Sequence, residues 1–194
     1  MTFRRFRILL LLGVLAAAAG MTWLEQSMVR AWRAPLAVAV IPINGDGSVP
    51  AAETIRALQA GDFDDINAFL ERETARYGVK QSPAMQVTLL PGSKQKPPAP
   101  PRDGSVLKTV LWSLQLRYWA WQVAANDPLP PPDVQVFALY RKPDGARIAP
   151  DSTGLRKGLV AVTHLFAGDD AAGSNDVVLT HEFLHTLGAT DKYE

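Results

Sequence analysis

Residues 180–191 read Thr180-His181-Glu182-Phe183-Leu184-His185-Thr186-Leu187-Gly188-Ala189-Thr190-Asp191. The first six contain H-E-x-x-H. On a helix, positions i and i+4 lie one above the other on the same face, so His181 and His185 offer two imidazoles to one cation. Glu182 is rotated about 100° from His181 in a helix of ~3.6 residues per turn. That sets it beside the cation without making it a ligand. Two neutral nitrogens that hold an ion and a carboxylate that takes the proton from water are the parts of a zinc hydrolase.

The flanking residues support a helix. Val177, Val178, Leu184 and Leu187 recur at helical spacing, with Phe183 adding bulk. Ser174, Asn175 and Asp176 offer capping side chains at the start. Gly188 can take a left-handed conformation and stop the helix. The chain then turns back, and Asp191 reaches the same ion. Two imidazoles, one carboxylate and a water complete an open four-coordinate site. The same ligand set also serves non-haem iron. Glu182 next to the first ligand favours hydrolysis.

The stretch H-E-F-L-H-T-L-G-A-T-D resembles the zinc signature of the metzincin metallopeptidases, H-E-x-x-H-x-x-G-x-x-H, with Asp191 in place of the third His. This variant is similar to the small bacterial proteases of the snapalysin type. The resemblance implies that His181, His185 and Asp191 bind zinc and that Glu182 is the general base. Metzincins also carry a methionine turn after the third ligand. The four methionines here, at 1, 21, 28 and 85, all precede the motif. The reading is therefore a zincin-like metallopeptidase domain over 34–194 without a C-terminal subdomain, preceded by an N-terminal segment over 1–33.

That segment begins with Arg4, Arg5 and Arg7, followed by 8–24, where Thr22 is the lone polar side chain. It is a targeting segment, read in two ways. A run of small residues at 16–20 suits a cleaved signal peptide, with a cut near Ala19 that yields a secreted protein. The length suits an uncleaved transmembrane anchor, with Trp23 and Trp32 at the far interface and the leading arginines in the cytoplasm. The anchor is favoured, which gives a membrane-attached protein whose domain lies outside the cytoplasm. Arg30 and Arg33 weaken the charge bias without reversing it.

Apolar residues make up 47% of the 194 and charged residues 20%, the balance of a globular protein. All 19 acidic residues follow Leu24 and three of the 20 basic ones precede it. The body of the chain is thus slightly acidic, and no basic patch points to nucleic acid. With no cysteine, disulfides and thiolate sites are excluded.

In order, 36–43 reads as a buried strand that ends in the turn Asn44-Gly45-Asp46-Gly47. Asp46 is read as a turn residue in preference to a calcium ligand. Helices are expected over 50–59 and 62–77. The second starts at Asp62 as N-cap, with Phe63, Ile66, Phe69 and Leu70 as its apolar stripe and its charges as a solvated face. A strand over 85–90 leads into a proline-rich surface loop over 91–104. The long helix over 105–125 carries two stripes, Leu107, Val110, Leu111, Leu114, Tyr118 and Trp121 on one side and Trp112, Leu116, Trp119 and Val123 on the other. Apolar on two sides, it is expected to pack on both as a core helix. The alternative rests its aromatic face on a membrane.

Residues 128–133 break the chain. A strand follows over 134–140, then a turn at 142–145 and a last strand over 158–167. His164 in that strand is read as a structural histidine, with a substrate contact in the cleft as the alternative. This order predicts an α+β domain with helices on one face of a mixed sheet and the H-E-x-x-H helix at its C-terminal end. The strand before that helix would line the cleft, where a peptide substrate pairs with its edge. The functional expectation is a zinc-dependent endopeptidase. The alternative is a membrane-anchored binding module whose metal site is vestigial or structural.

Overall fold

The computed structural model describes residues 3–30, 34–101, 103–125, 131–143, 152–155 and 159–191. Helix α1 spans Phe3–Arg30 and is followed by strand β1, Leu36–Asn44. Helix α2, Val49–Ala57, starts at Ser48, whose hydroxyl accepts the Ala51 N–H at 3.3 Å, with Pro50 in the first turn. A 3₁₀ turn over Ala60–Phe63 leads into α3, Asp64–Arg76. Asp62 caps that 3₁₀ turn, accepting the Gln59 N–H at 2.9 Å, and so lies before α3 and does not cap it. Strand β2 is Met85–Leu89, helix α4 Val106–Ala125 and strand β3 Val134–Arg141. The short β4, Thr153–Leu155, β5, Val160–Phe166, and helix α5, Ala172–Leu187, are the last elements among the described residues.

The sheet order is β2-β1-β3-β5-β4. The first four strands are parallel, and β4 runs antiparallel to β5 at the edge. The core strands read as continuous apolar runs because both faces of a parallel sheet are covered. Alternation along each strand separates two cores. Leu36, Val38, Val40, Val136, Ala138 and Ala161 face α2, α3 and α5. Ile41, Ile43, Phe137, Leu139, Val160 and Val162 face α4.

The expectation of helices on one face is therefore corrected: α4 lies on the opposite face from the others. The cause is the handedness of parallel connections. β1 crosses to β2 in one direction and β2 returns past β1 to β3 in the other. Two right-handed crossovers that run in opposite directions must use opposite faces. The mixed sheet itself is as expected.

Pro42 stands in a central strand, where a missing N–H would usually cost a ladder bond. Here β2 has already ended, since Val40 pairs with Leu89. The carbonyl of Pro42 instead accepts the Ser93 N–H at 3.1 Å. Gly92 is required at that crossing, because a Cβ there would sit 2.9 Å from the Pro42 oxygen. The turn after β1 is held by Asp46, which accepts from the N–H groups of Ser48 and Lys142, both at 2.9 Å. The sequence-expected turn over 142–145 extends outside the described residues, as do Trp32, Arg33 and part of the break over 128–133.

Two further expectations are corrected. Among the described residues no helix is long and apolar enough to cross a membrane, so the N-terminal transmembrane anchor is not supported. The helix forms as α1, but Arg4, Arg5 and Arg7 lie in its first turns and Glu25 and Arg30 in its last. Second, α4 packs on one side only. Trp112, Leu116 and Ala120 are buried, and Trp119 lies against Phe137 with ring centroids 4.4 Å apart. Leu107, Leu114, Tyr118 and Trp121 face outward. The proline-rich loop touches α4 at its start, where the Trp112 indole donates to the Pro98 carbonyl at 2.8 Å.

One-sided packing of α4 sets apart two leucines a short way along the same helix. Leu116→Ala empties a fully buried site and should cost about 2–5 kcal/mol, whereas Leu114→Ala at an exposed site should cost under about 0.5 kcal/mol. Urea unfolding of the two variants measures this; equal losses would show that both sides of α4 are packed.

Candidate metal centre

Helix α5 starts at Ala172, earlier than the sequence suggests, with no side-chain cap at its first turn. The expected capping residues do other work. The Asn175 side chain clamps the end of β5, accepting the Phe166 N–H at 3.1 Å and donating to the Phe166 carbonyl at 2.8 Å. Leu179 and Phe183 enter the core against Ala161 and Leu165. Asn175, Leu179, Glu182, Phe183 and Thr186 form the buried face of α5. His181 and His185 lie on the flank of that face, at the surface.

The helix ends in a Schellman turn. Gly188 adopts a left-handed φ of 106°. Its N–H bonds to the His185 carbonyl at 3.1 Å, and the Ala189 N–H bonds to the Leu184 carbonyl at 3.1 Å. This reversal does two things. It brings the Ala189 carbonyl to 2.9 Å from His185 Nδ1. A carbonyl only accepts, so Nδ1 carries the proton and the Nε2 lone pair of neutral His185 is left to face outward. It also returns the chain so that Asp191 comes alongside both imidazoles.

The three donor atoms form a compact triangle. His181 Nε2 and His185 Nε2 are 2.9 Å apart, and Asp191 Oδ1 lies 3.4 Å from the first and 3.3 Å from the second. Zinc bonds of about 2.0–2.1 Å in a tetrahedron separate the ligand atoms by about 3.3 Å. Two edges match and the third is shorter. The donor set of two imidazoles and a carboxylate also suits zinc. His181, His185 and Asp191 thus fit a metal ion and form the one such group found among the described residues. The side chains are 46%, 22% and 37% exposed, so the centre opens to solvent on one side.

Glu182 lies one position along the helix on its buried side, 9% exposed. His164 is not brought to this group. Alternation along β5 sends Ala161 and Leu165 toward α5, and Val160, Val162 and His164 toward α4. The backbone N–H of His164 donates to the Ser152 hydroxyl at 3.0 Å.

Two features were invisible in the sequence. One is the Ala189 carbonyl, which orients His185. The other is a groove of about 350 Å³ between α3 and α5 that begins at His181. Ile66, Phe69, Val177 and Leu184 give it an apolar floor, and Asp65 and Asp176 stand at its end. Ile66 and Phe69 show in the sequence as one helical stripe, but no spacing relates that stripe to α5. The edge strand β4 also lies near α5.

Comparison with protein-family models, with curated proteins and with solved structures finds no match to this chain.

The glycine turn places the third donor, Asp191, so metal content should respond to it. Gly188→Ala should strain the left-handed residue by about 1–2 kcal/mol and weaken metal binding. Asp191→Ala should weaken it at least about tenfold. Mass spectrometry of the full chain after dialysis against limiting zinc reads both, with about one ion per chain expected in the unaltered protein. Unchanged metal content in both variants would exclude Asp191 as a ligand.

Proposed function

We propose that this chain is a zinc-dependent endopeptidase. The observation that carries the reading is the convergence of His181 Nε2, His185 Nε2 and Asp191 Oδ1 at a surface that also opens a groove. Zinc, when bound, would supply Lewis acidity, bringing the pKa of water toward about 7 and polarising the substrate carbonyl.

The residues divide the remaining work. His181, His185 and Asp191 hold the ion, and the Ala189 carbonyl fixes the tautomer of His185. Glu182 accepts the proton of the attacking water and hands it to the departing nitrogen as the peptide C–N bond breaks and the C–O bond forms. The apolar groove seats a substrate side chain next to His181. Strand β4 pairs with β5 on one side and forms the sheet edge on the other, the arrangement that accepts an extended peptide as a further strand. These features support a zincin-like arrangement, with β4 rather than β5 beside the substrate.

One observation favours a second reading, a binding module with a structural or vestigial metal. Glu182 is buried, on the face of α5 that packs inward. A proton carrier must reach the water, and a structural glutamate need not.

Glu182→Gln separates the two. The endopeptidase reading expects metal content to be kept and peptide hydrolysis to fall by about 10²–10⁴-fold. Digestion of a peptide mixture followed by mass spectrometry is the assay. An unaltered protein that holds zinc and cleaves nothing would support the binding module, and a Gln variant that cleaves normally would remove Glu182 from the chemistry.

A further inference from the structure

Beyond the apolar groove lies a second cavity of about 460 Å³, framed by the 3₁₀ turn before α3, the end of β3 and the head of α5. Asp62, Asp64, Asp65, Asp169 and Asp176 line it. Asp65 and Asp176 also line the groove at His181, so the two spaces adjoin. No lysine or arginine lines it, and among the described residues none pairs with these five carboxylates.

An acidic cluster is by itself only a solvated surface. Here a second observation points to a ligand. Tyr140, at the end of β3, is 4% exposed and lines the same cavity. Its hydroxyl has no hydrogen-bond partner among the described residues. The ring is packed into the core, and the hydroxyl is left to bond with whatever enters the cavity. The cavity also lies at the carboxyl ends of the parallel strands β3 and β5, where open α/β sheets bind ligands.

The charge pattern selects a cation. Burial first, then the carboxylates of Asp65 and Asp62, push the Asp176 carboxyl above its usual range. Burial first, then Asp176 and Asp62, likewise push the Tyr140 phenol up. The cation is not a single metal ion, because these carboxylates form no group close enough to ligate one. A cavity of this volume suits an organic group.

We infer that the acidic cavity takes the lysine or arginine side chain of a peptide whose neighbouring apolar side chain fills the groove beside His181. The guanidinium or ammonium group lies among Asp62, Asp65 and Asp176, with the Tyr140 oxygen as an acceptor. The inference deepens the endopeptidase reading and rests on it for the ligand being a peptide.

Binding is measured on the full chain carrying Glu182→Gln, so that nothing is cleaved. Two fluorescein-labelled hexapeptides are compared by anisotropy at low salt. One has leucine between two arginines; the other has citrulline, the neutral isostere, at both positions. The arginine peptide should bind about tenfold more tightly or better. Asp65→Asn, at an exposed position, should reduce that ratio, and Tyr140→Phe should weaken the arginine peptide more than the citrulline one. Equal affinities, no binding of either, a ratio unmoved by Asp65→Asn, or its abolition by added calcium would each overturn the inference. Cleavage by the unaltered protein is scored separately. Arginine preference without cleavage removes the endopeptidase reading and keeps the cavity. Cleavage without preference does the reverse.

Discussion

Parallel pairing of β1 with both β2 and β3 is the constraint from which the rest follows. Parallel neighbours cannot be joined by a tight turn, so each pair needs a crossover. The first uses α2 and α3, the second α4, and their opposite directions put them on opposite faces. The face with α2 and α3 then has room for one more helix after β5, and α5 takes it. That position sets α5 beside α3, which creates the groove. It also gathers the strand ends, the 3₁₀ turn and the head of α5 around one cavity. Local bonds tie these loops together: Gly168 N–H donates to the Thr54 hydroxyl at 3.0 Å, and Ala167 N–H to the Arg141 carbonyl at 2.7 Å.

What the sequence made legible was what is local. Strands β1, β2, β3 and β5 show as apolar runs bounded by turn residues. The donor triangle is also local, because the eleven residues from His181 to Asp191 contain all three donor side chains and the glycine that reverses the chain. Strand β4 was missed because three residues carry no period. The two-sided covering of the sheet was missed because it depends on the direction of crossovers, which the order of elements does not encode. The stripes on α4 were read correctly as stripes. Hydrophobicity alone does not say which one meets the sheet; the buried one is that containing Trp112 and Leu116, with Ala120 between turns allowing close approach.

The residues at 174–176 show how a correct chemical inventory can meet a different geometry. Side chains that cap helices compete for backbone groups. Asn175 does so, but the backbone is that of β5, which it joins to α5. Once α5 begins at Ala172, Asp176 falls within the helix and faces α3. Its neighbours Asp62 and Asp65 belong to a segment whose sequence reads as a helix with Asp62 as its N-cap and its charges of both signs as a solvated face. Distance along the chain hid the encounter.

That encounter weakens the isolated fold. A carboxyl whose folded pKa is raised binds its proton more readily in the folded state than in the unfolded chain. Stability is therefore greatest below its ordinary pKa of 3.8 and is lost as pH rises through the elevated value. Near neutral pH the burial of Asp176, and after it the repulsion from Asp65 and Asp62, is thus a standing cost, moderated by solvent because Asp62 and Asp65 are exposed. Replacing Asp176 with a neutral residue would relieve it without disturbing the core face of α5, which runs through Leu179 and Phe183. A cation between the carboxylates relieves the same repulsion from outside the chain. Asp62 also caps the 3₁₀ turn before α3, but Asp176 has no such task in the sheet or the core, and the proposed cationic side chain is what would offset its repulsion with Asp65 and Asp62.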